Sequence, residues 1–75
     1  MRLLGGVIKL KREEAEHLLE HWIEHNESHS KSFRERARQV EEISKKAASD
    51  IVEAAELIDR CTEQLKKAKE ELSGD

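Results

Sequence analysis

Residues 51–72 read IVEAAELIDRCTEQLKKAKEEL, and their spacing decides the fold. Ile51, Ala54, Ile58, Cys61, Leu65, Ala68 and Leu72 recur at alternating steps of three and four. Side chains return to one side of an α-helix at that period, and its heptad form marks a seam that packs on another helix. A half-buried strand would alternate at every second residue, and this stretch does not. Glu63 and Lys67, four apart on the outside, add a little helix stability. Ser73-Gly74 supplies a C-terminal stop.

The same rhythm continues upstream. Leu19, Trp22, Asn26, His29, Phe33, Ala37 and Val40 follow at steps of three and four, which predicts a first helix with these residues on its inner face. Glu13, Glu14 and Glu16 lie in its first turn, where the positive end of the helix dipole favours carboxylates. There is no proline, and the three glycines are Gly5, Gly6 and Gly74, so no residue between Val7 and Ser73 breaks a helix outright. The break between helices is expected near 44–50, where Asp50 and Glu53 have capping-box spacing. That divides residues 12–73 into helices of about 33 and 24 residues, a hairpin roughly 35–50 Å long. Ser32 and Glu35 have the same spacing. A second break at 26–32 would give three helices, and no break would give one long coiled-coil helix. Residues 1–11 differ in composition. Val7-Ile8-Lys9-Leu10-Lys11, after Gly5-Gly6, reads as an N-terminal arm or a short strand.

The expected fold is therefore all-α, a long antiparallel two-helix hairpin. Leu18, Ile23, Val52, Ala55 and Leu57 widen the apolar stripes beyond one helix–helix contact. A homodimer forming a four-helix bundle is expected to cover them. A chain of 75 residues with one cysteine has no disulfide staple and gains most from such a partner.

Composition narrows the function. Charged residues make up 41% of the chain, yet the net charge is only −3. Lys and Arg are interleaved with Glu, and no aromatic platform is present, so nucleic acid is not an expected partner. No apolar run approaches the roughly 20 residues of a membrane span. The Leu3–Ile8 stretch is too short for a signal-peptide core. The lone thiol fits a reducing compartment, so the cytoplasm is the expected location. No nucleophile–base pair or carboxylate pair can be read, and an enzyme is not expected.

One pattern points to chemistry. His17, His21, His25 and His29 repeat at a step of four, each step turning about 40° around the helix. His29 and Asn26 fall on the predicted inner face, His25 on its flank, His21 further out, and His17 outside. Imidazoles at i and i+4 can share one metal ion. His25 and His29 form the best-placed pair, with Cys61 in the facing seam and His21 as the additional ligand. Imidazole and thiolate donors suit Zn, Ni or Co rather than Mg or Ca. The zinc-protease motif is absent, since Trp22 follows His21 and Asn26 follows His25. The di-iron pattern is represented only by Glu14-x-x-His17 on the outer face. The alternative to metal is structural: Asn26 and His29 as polar inserts that fix helix pairing. In that case the chain is an interaction module with its own copy or another protein as partner.

His21-Trp22-Ile23-Glu24-His25-Asn26-Glu27-Ser28-His29, followed by Phe33, resembles an HWIxHNxxH motif in small prokaryotic proteins of unknown role. There a second helix resembling Ala54-Ala55-Glu56-Leu57-Ile58 follows. Some of those proteins are linked with small nickel-binding or metal-homeostasis proteins. The resemblance implies a helical-hairpin domain and marks His21, Asn26, His25 and His29 as positions of interest. It also implies a glycine at the hairpin turn, which this chain lacks.

Overall fold

The computed structural model describes residues 9–74 and contains two helices, α1 (Arg12–Val40) and α2 (Lys45–Gly74). They lie against each other as an antiparallel hairpin. Helix α1 begins at Lys11, whose backbone N–H donates to Glu14 Oε1 at 3.0 Å, and Glu13 and Glu14 occupy the first turn. Of the expected N-terminal arm or strand, residues 1–8 lie outside the described residues, and Lys9–Lys11 are not helical.

The turn falls earlier than expected. It spans Glu41 to Ser44, meeting the predicted 44–50 window only at Ser44, and the helices have 29 and 30 residues. The cap is Ser44, not Asp50. Ser44 Oγ accepts the Ala47 backbone N–H at 3.0 Å, which satisfies a free donor at the start of α2. Backbone bonds from Ile43 and Ser44 N–H to Val40 O, both 2.8 Å, close the last turn of α1. None of the described residues has a positive φ. The chain therefore reverses without a left-handed residue, and no glycine is required.

The seam between the helices is built from small residues. Leu19, Ile23, Ser30 and Ala37 of α1 are buried together with Ala48, Ala55 and Thr62 of α2; Ala55 has no exposed surface. This corrects the predicted faces. Ile23 and Ser30 take the inner positions assigned to Trp22 and His29, and Ala48, Ala55 and Thr62 displace the Ile51–Cys61–Leu72 stripe. In each helix the true seam is rotated from the predicted stripe. Short side chains let two helices approach along their whole length, whereas a stripe containing tryptophan and phenylalanine would hold them apart.

Polar atoms in this seam are paired. Ser30 Oγ donates to Asp59 Oδ1 at 2.6 Å and lies 3.5 Å from the Ala55 carbonyl. Arg34 Nη2 closes the set on Asp59 Oδ2 at 2.8 Å. The Thr62 hydroxyl donates to the Ile58 carbonyl at 2.8 Å. Such pairing removes most of the cost of placing hydroxyls inside.

The two flanks of the seam differ. On one, ion pairs bridge the helices: Lys69 to Glu20 at 2.8 Å, Lys66 to Glu27 at 3.4 Å, and Arg34 to Asp59. On the other lie Trp22, Phe33, Ile51, Ile58 and Leu65. Phe33, Ile51 and Ala54 share a shallow hollow of about 330 Å³ with Ser32 and Arg36. Trp22 is 45% exposed. Of the described residues, no helix is long and apolar enough to cross a membrane.

Candidate metal centre

The four-residue step of the histidines forms a column on α1 that turns from the outer face at His21, through His25, to the edge of the apolar flank at His29, ending on Phe33. Ring centroids of His21 and His25 are 6.0 Å apart and nearly parallel. His25 and His29 meet edge to face at 4.5 Å, and His29 meets Phe33 at 6.1 Å. All three imidazoles are exposed. His29 is thus on the rim of the helix contact, not inside it, because Ser30 occupies the inner position.

The closest approach is between nitrogens. His25 Nε2 and His29 Nε2 are 3.0 Å apart. Two imidazole nitrogens on a tetrahedral zinc ion, each at about 2.0–2.1 Å, would be separated by about 3.3 Å. The pair is therefore within a small side-chain rotation of the spacing that one ion needs. Both nitrogens converge from the same helix, one turn apart, so the backbone already fixes their relation.

Asn26, half-buried at the same level, donates from Nδ2 to Cys61 Sγ at 3.5 Å. That contact ties the middle of α1 to the middle of α2. Cys61 is exposed and faces Asn26. The structure brings His25 and His29 together, stacks His21 one turn away, and leaves His17 exposed. Among the described residues, no three His, Cys, Asp or Glu side chains gather closely enough to hold a metal ion. One chain thus brings two imidazole nitrogens together.

Elsewhere the charges are structural. The hydrogen bond and charge of Lys69 hold the Glu20 carboxyl below its ordinary range. A hydrogen bond to Glu27, with the charges of Glu63 and Glu27, raises the Lys66 ammonium above its own. Sequence reasoning missed the Ser30–Asp59–Arg34 set. Its signal was the interval of seven from Ile23 through Ser30 to Ala37, which ranks a serine with core residues.

A two-helix hairpin with a histidine pair on one apolar flank defines a small all-α helical-hairpin protein. Residues 15–72 match DUF8180, a domain of unknown function, and the chain belongs to that family. No curated protein and no solved structure matches the chain.

Proposed function

We propose that the protein is a non-enzymatic helical hairpin that pairs with a second copy through its apolar flank and binds a transition-metal ion, Zn, Ni or Co, at His25 and His29. The class is storage, sensing or delivery of the metal in a reducing compartment. The observation that carries the reading is the 3.0 Å approach of the two Nε2 atoms. Exposure leaves them open to an ion, and imidazole is a ligand for these metals.

Pairing is supported by the shape of the flank. Helix α1 has 29 residues, so the face it shares with α2 is about 44 Å long. Two helices side by side make it about 20 Å wide. The resulting area of about 900 Å² compares with the roughly 800 Å² that each partner contributes to a standard interface. Trp22, Phe33, Ile51 and Leu65 supply its large apolar side chains, with Asn26 and His29 near its middle. The other flank is already bridged by ion pairs.

Calorimetric titration of Zn²⁺ and Ni²⁺ into chelator-treated, untagged protein tests the metal reading. Saturable binding that disappears in His29→Ala is the expected result. Absence of heat with both metals overturns it.

A second reading is favoured by one observation, the lack of a third metal donor among the described residues. In that reading the chain is an interaction module, and Asn26 and the histidines only specify pairing. His29→Ala then changes the strength of association with no metal signal to lose.

A further inference from the structure

We infer that the His25–His29 pair is half of a site, and that one transition-metal ion is held between two copies of the chain by the four imidazoles they bring together. The inference rests on the metal reading above. It adds the second half of the coordination shell and a coupling between metal and assembly.

The first argument is a count of donors. Two nitrogens leave a tetrahedral ion with two open positions, whereas structural zinc sites are closed by four protein ligands. The same chain does not assemble a third donor with the pair, among the described residues. Its nearest thiol, Cys61, is engaged by the Asn26 amide at 3.5 Å.

The second argument is position. Helix α1 runs from Arg12 to Val40, so His25 and His29 bracket its middle, and the middle of α2 falls at Asp59–Arg60. The Asn26–Cys61 contact shows that these two midpoints lie at one level. The apolar flank extends from there in both directions, through Trp22 and Leu65 towards the free ends and through Phe33 and Ile51 towards the turn. Two copies that cover each other's flank over its full length must set mid-length against mid-length. A two-fold axis running across the helices sets α1 of one copy against α1 of the other, whereas an axis along them would set α1 against α2. With the axis across the helices, the His25–His29 pair meets the same pair of the second copy at one level of the bundle. Sliding the copies apart by two helical turns, about 11 Å, separates the pairs and uncovers large side chains at both ends.

The third argument is chemical fit. On α2 the Cys61 thiol meets Asn26 at the level of the pair, and Ile58 and Leu65 lie one turn to either side of it. Docking on this flank withdraws His29 from water and brings His25 to the edge of the contact. An ion taken up by all four nitrogens satisfies them together, as ligands from facing helices do in other bundle cores.

An ion bound by the pair of chains and not by one chain must strengthen their association. Couplings of this kind typically change affinity by roughly 5- to 150-fold, and a change in that range is expected for the dimer dissociation constant. Sedimentation velocity over a concentration series, on the full chain with and without Zn²⁺, reads it directly. Titration calorimetry on the same samples gives the stoichiometry. The expected result is one ion per two chains with a tightened dimer, both lost in His29→Ala and both kept in Cys61→Ser and His17→Ala. His29 is exposed, so the substitution leaves the hairpin intact, and circular dichroism checks that it does. One ion per chain with unchanged dimer affinity overturns the shared site while sparing the metal reading. No binding at all overturns both. Loss of binding in Cys61→Ser assigns the closing ligand to the thiol and overturns the four-imidazole site. Loss of the zinc-dependent association in His17→Ala shows cross-linking by surface histidines and overturns it as well.

Discussion

The hairpin has two flanks of equal length and opposite character. One is laced by Glu20–Lys69, Glu27–Lys66 and Arg34–Asp59, pairs that water can reach and that each chain completes by itself. The other presents Trp22, Phe33, Ile51 and Leu65, with His29 at its edge and little of its own chain opposite. The small-residue seam explains why they coexist. Helices joined through Ala37, Ala48 and Ala55 bury few large side chains, so the bulky ones remain outside the seam. A full seam of large residues would have used them up. Here Leu19 and Ile23 are the large residues buried within the hairpin, at about 1.5–3 kcal/mol each; under the proposed pairing, the second flank supplies the rest.

The comparison is broken most directly by placing a charge on the apolar side. Trp22→Glu is expected to weaken self-association by about 100-fold or more, because an unpaired carboxylate resists withdrawal from water. Helical content should remain that of the hairpin. A dimer that persists at micromolar concentration in light scattering would mean that this flank is not the contact. Overfilling the seam tests the other half of the explanation. Ala55 has no exposed surface, so Ala55→Leu should lower unfolding stability by about 1–3 kcal/mol, read as a shift in the urea midpoint. An unchanged midpoint would show that the helices have room to spare. Removing the hydroxyl in Ser30→Ala should cost about 1 kcal/mol, since Asp59 keeps Arg34 but loses its 2.6 Å donor.

The ion-paired flank should respond least. Exposed pairs contribute little to stability, and Glu27→Gln is expected to leave the urea midpoint within error at neutral pH. The pH dependence has a fixed sign. The Glu20 carboxyl is lowered in the fold by Lys69, so its contribution is present above the unfolded carboxyl value and is lost as pH falls through the folded one. Lys66 is raised by Glu27 and Glu63. Its contribution is full below the unfolded ammonium value and is lost as pH rises through the folded one. The difference between the parent chain and Glu20→Gln should therefore vanish in acid and stay constant through neutrality. A difference that grows on acidification contradicts the assignment to Lys69.

Periodicity made the two helices and their antiparallel packing legible, because steps of three and four have no other simple reading. Which of two adjacent stripes faces the sister helix was not legible. Trp22–His29–Phe33 and Ile23–Ser30–Ala37 both keep to helical spacing, and hydrophobicity alone favours the bulkier set. Close approach of two helices favours the other, and that is a property of the pair rather than of either sequence. The turn was misplaced for a related reason. Asp50 with Glu53 has the stronger capping pattern, yet Ser44 caps with Ala47 at the third position and no reciprocal carboxylate. Of the candidate ligands, the juxtaposition of His25 and His29 followed from helix geometry. The position of Cys61 against Asn26 depended on a rotation of α2 that its residues do not encode individually.

The contact between His25 and His29 also constrains hydrogen placement. At 3.0 Å between Nε2 atoms, one nitrogen must carry a hydrogen and the other must offer a lone pair. When both rings are neutral they are therefore different tautomers: the acceptor ring has its hydrogen on Nδ1, the donor ring on Nε2. On the proposed metal reading, a cation would need lone pairs from both Nε2 atoms, so the hydrogen shared between them would have to leave Nε2 before an ion could take its place.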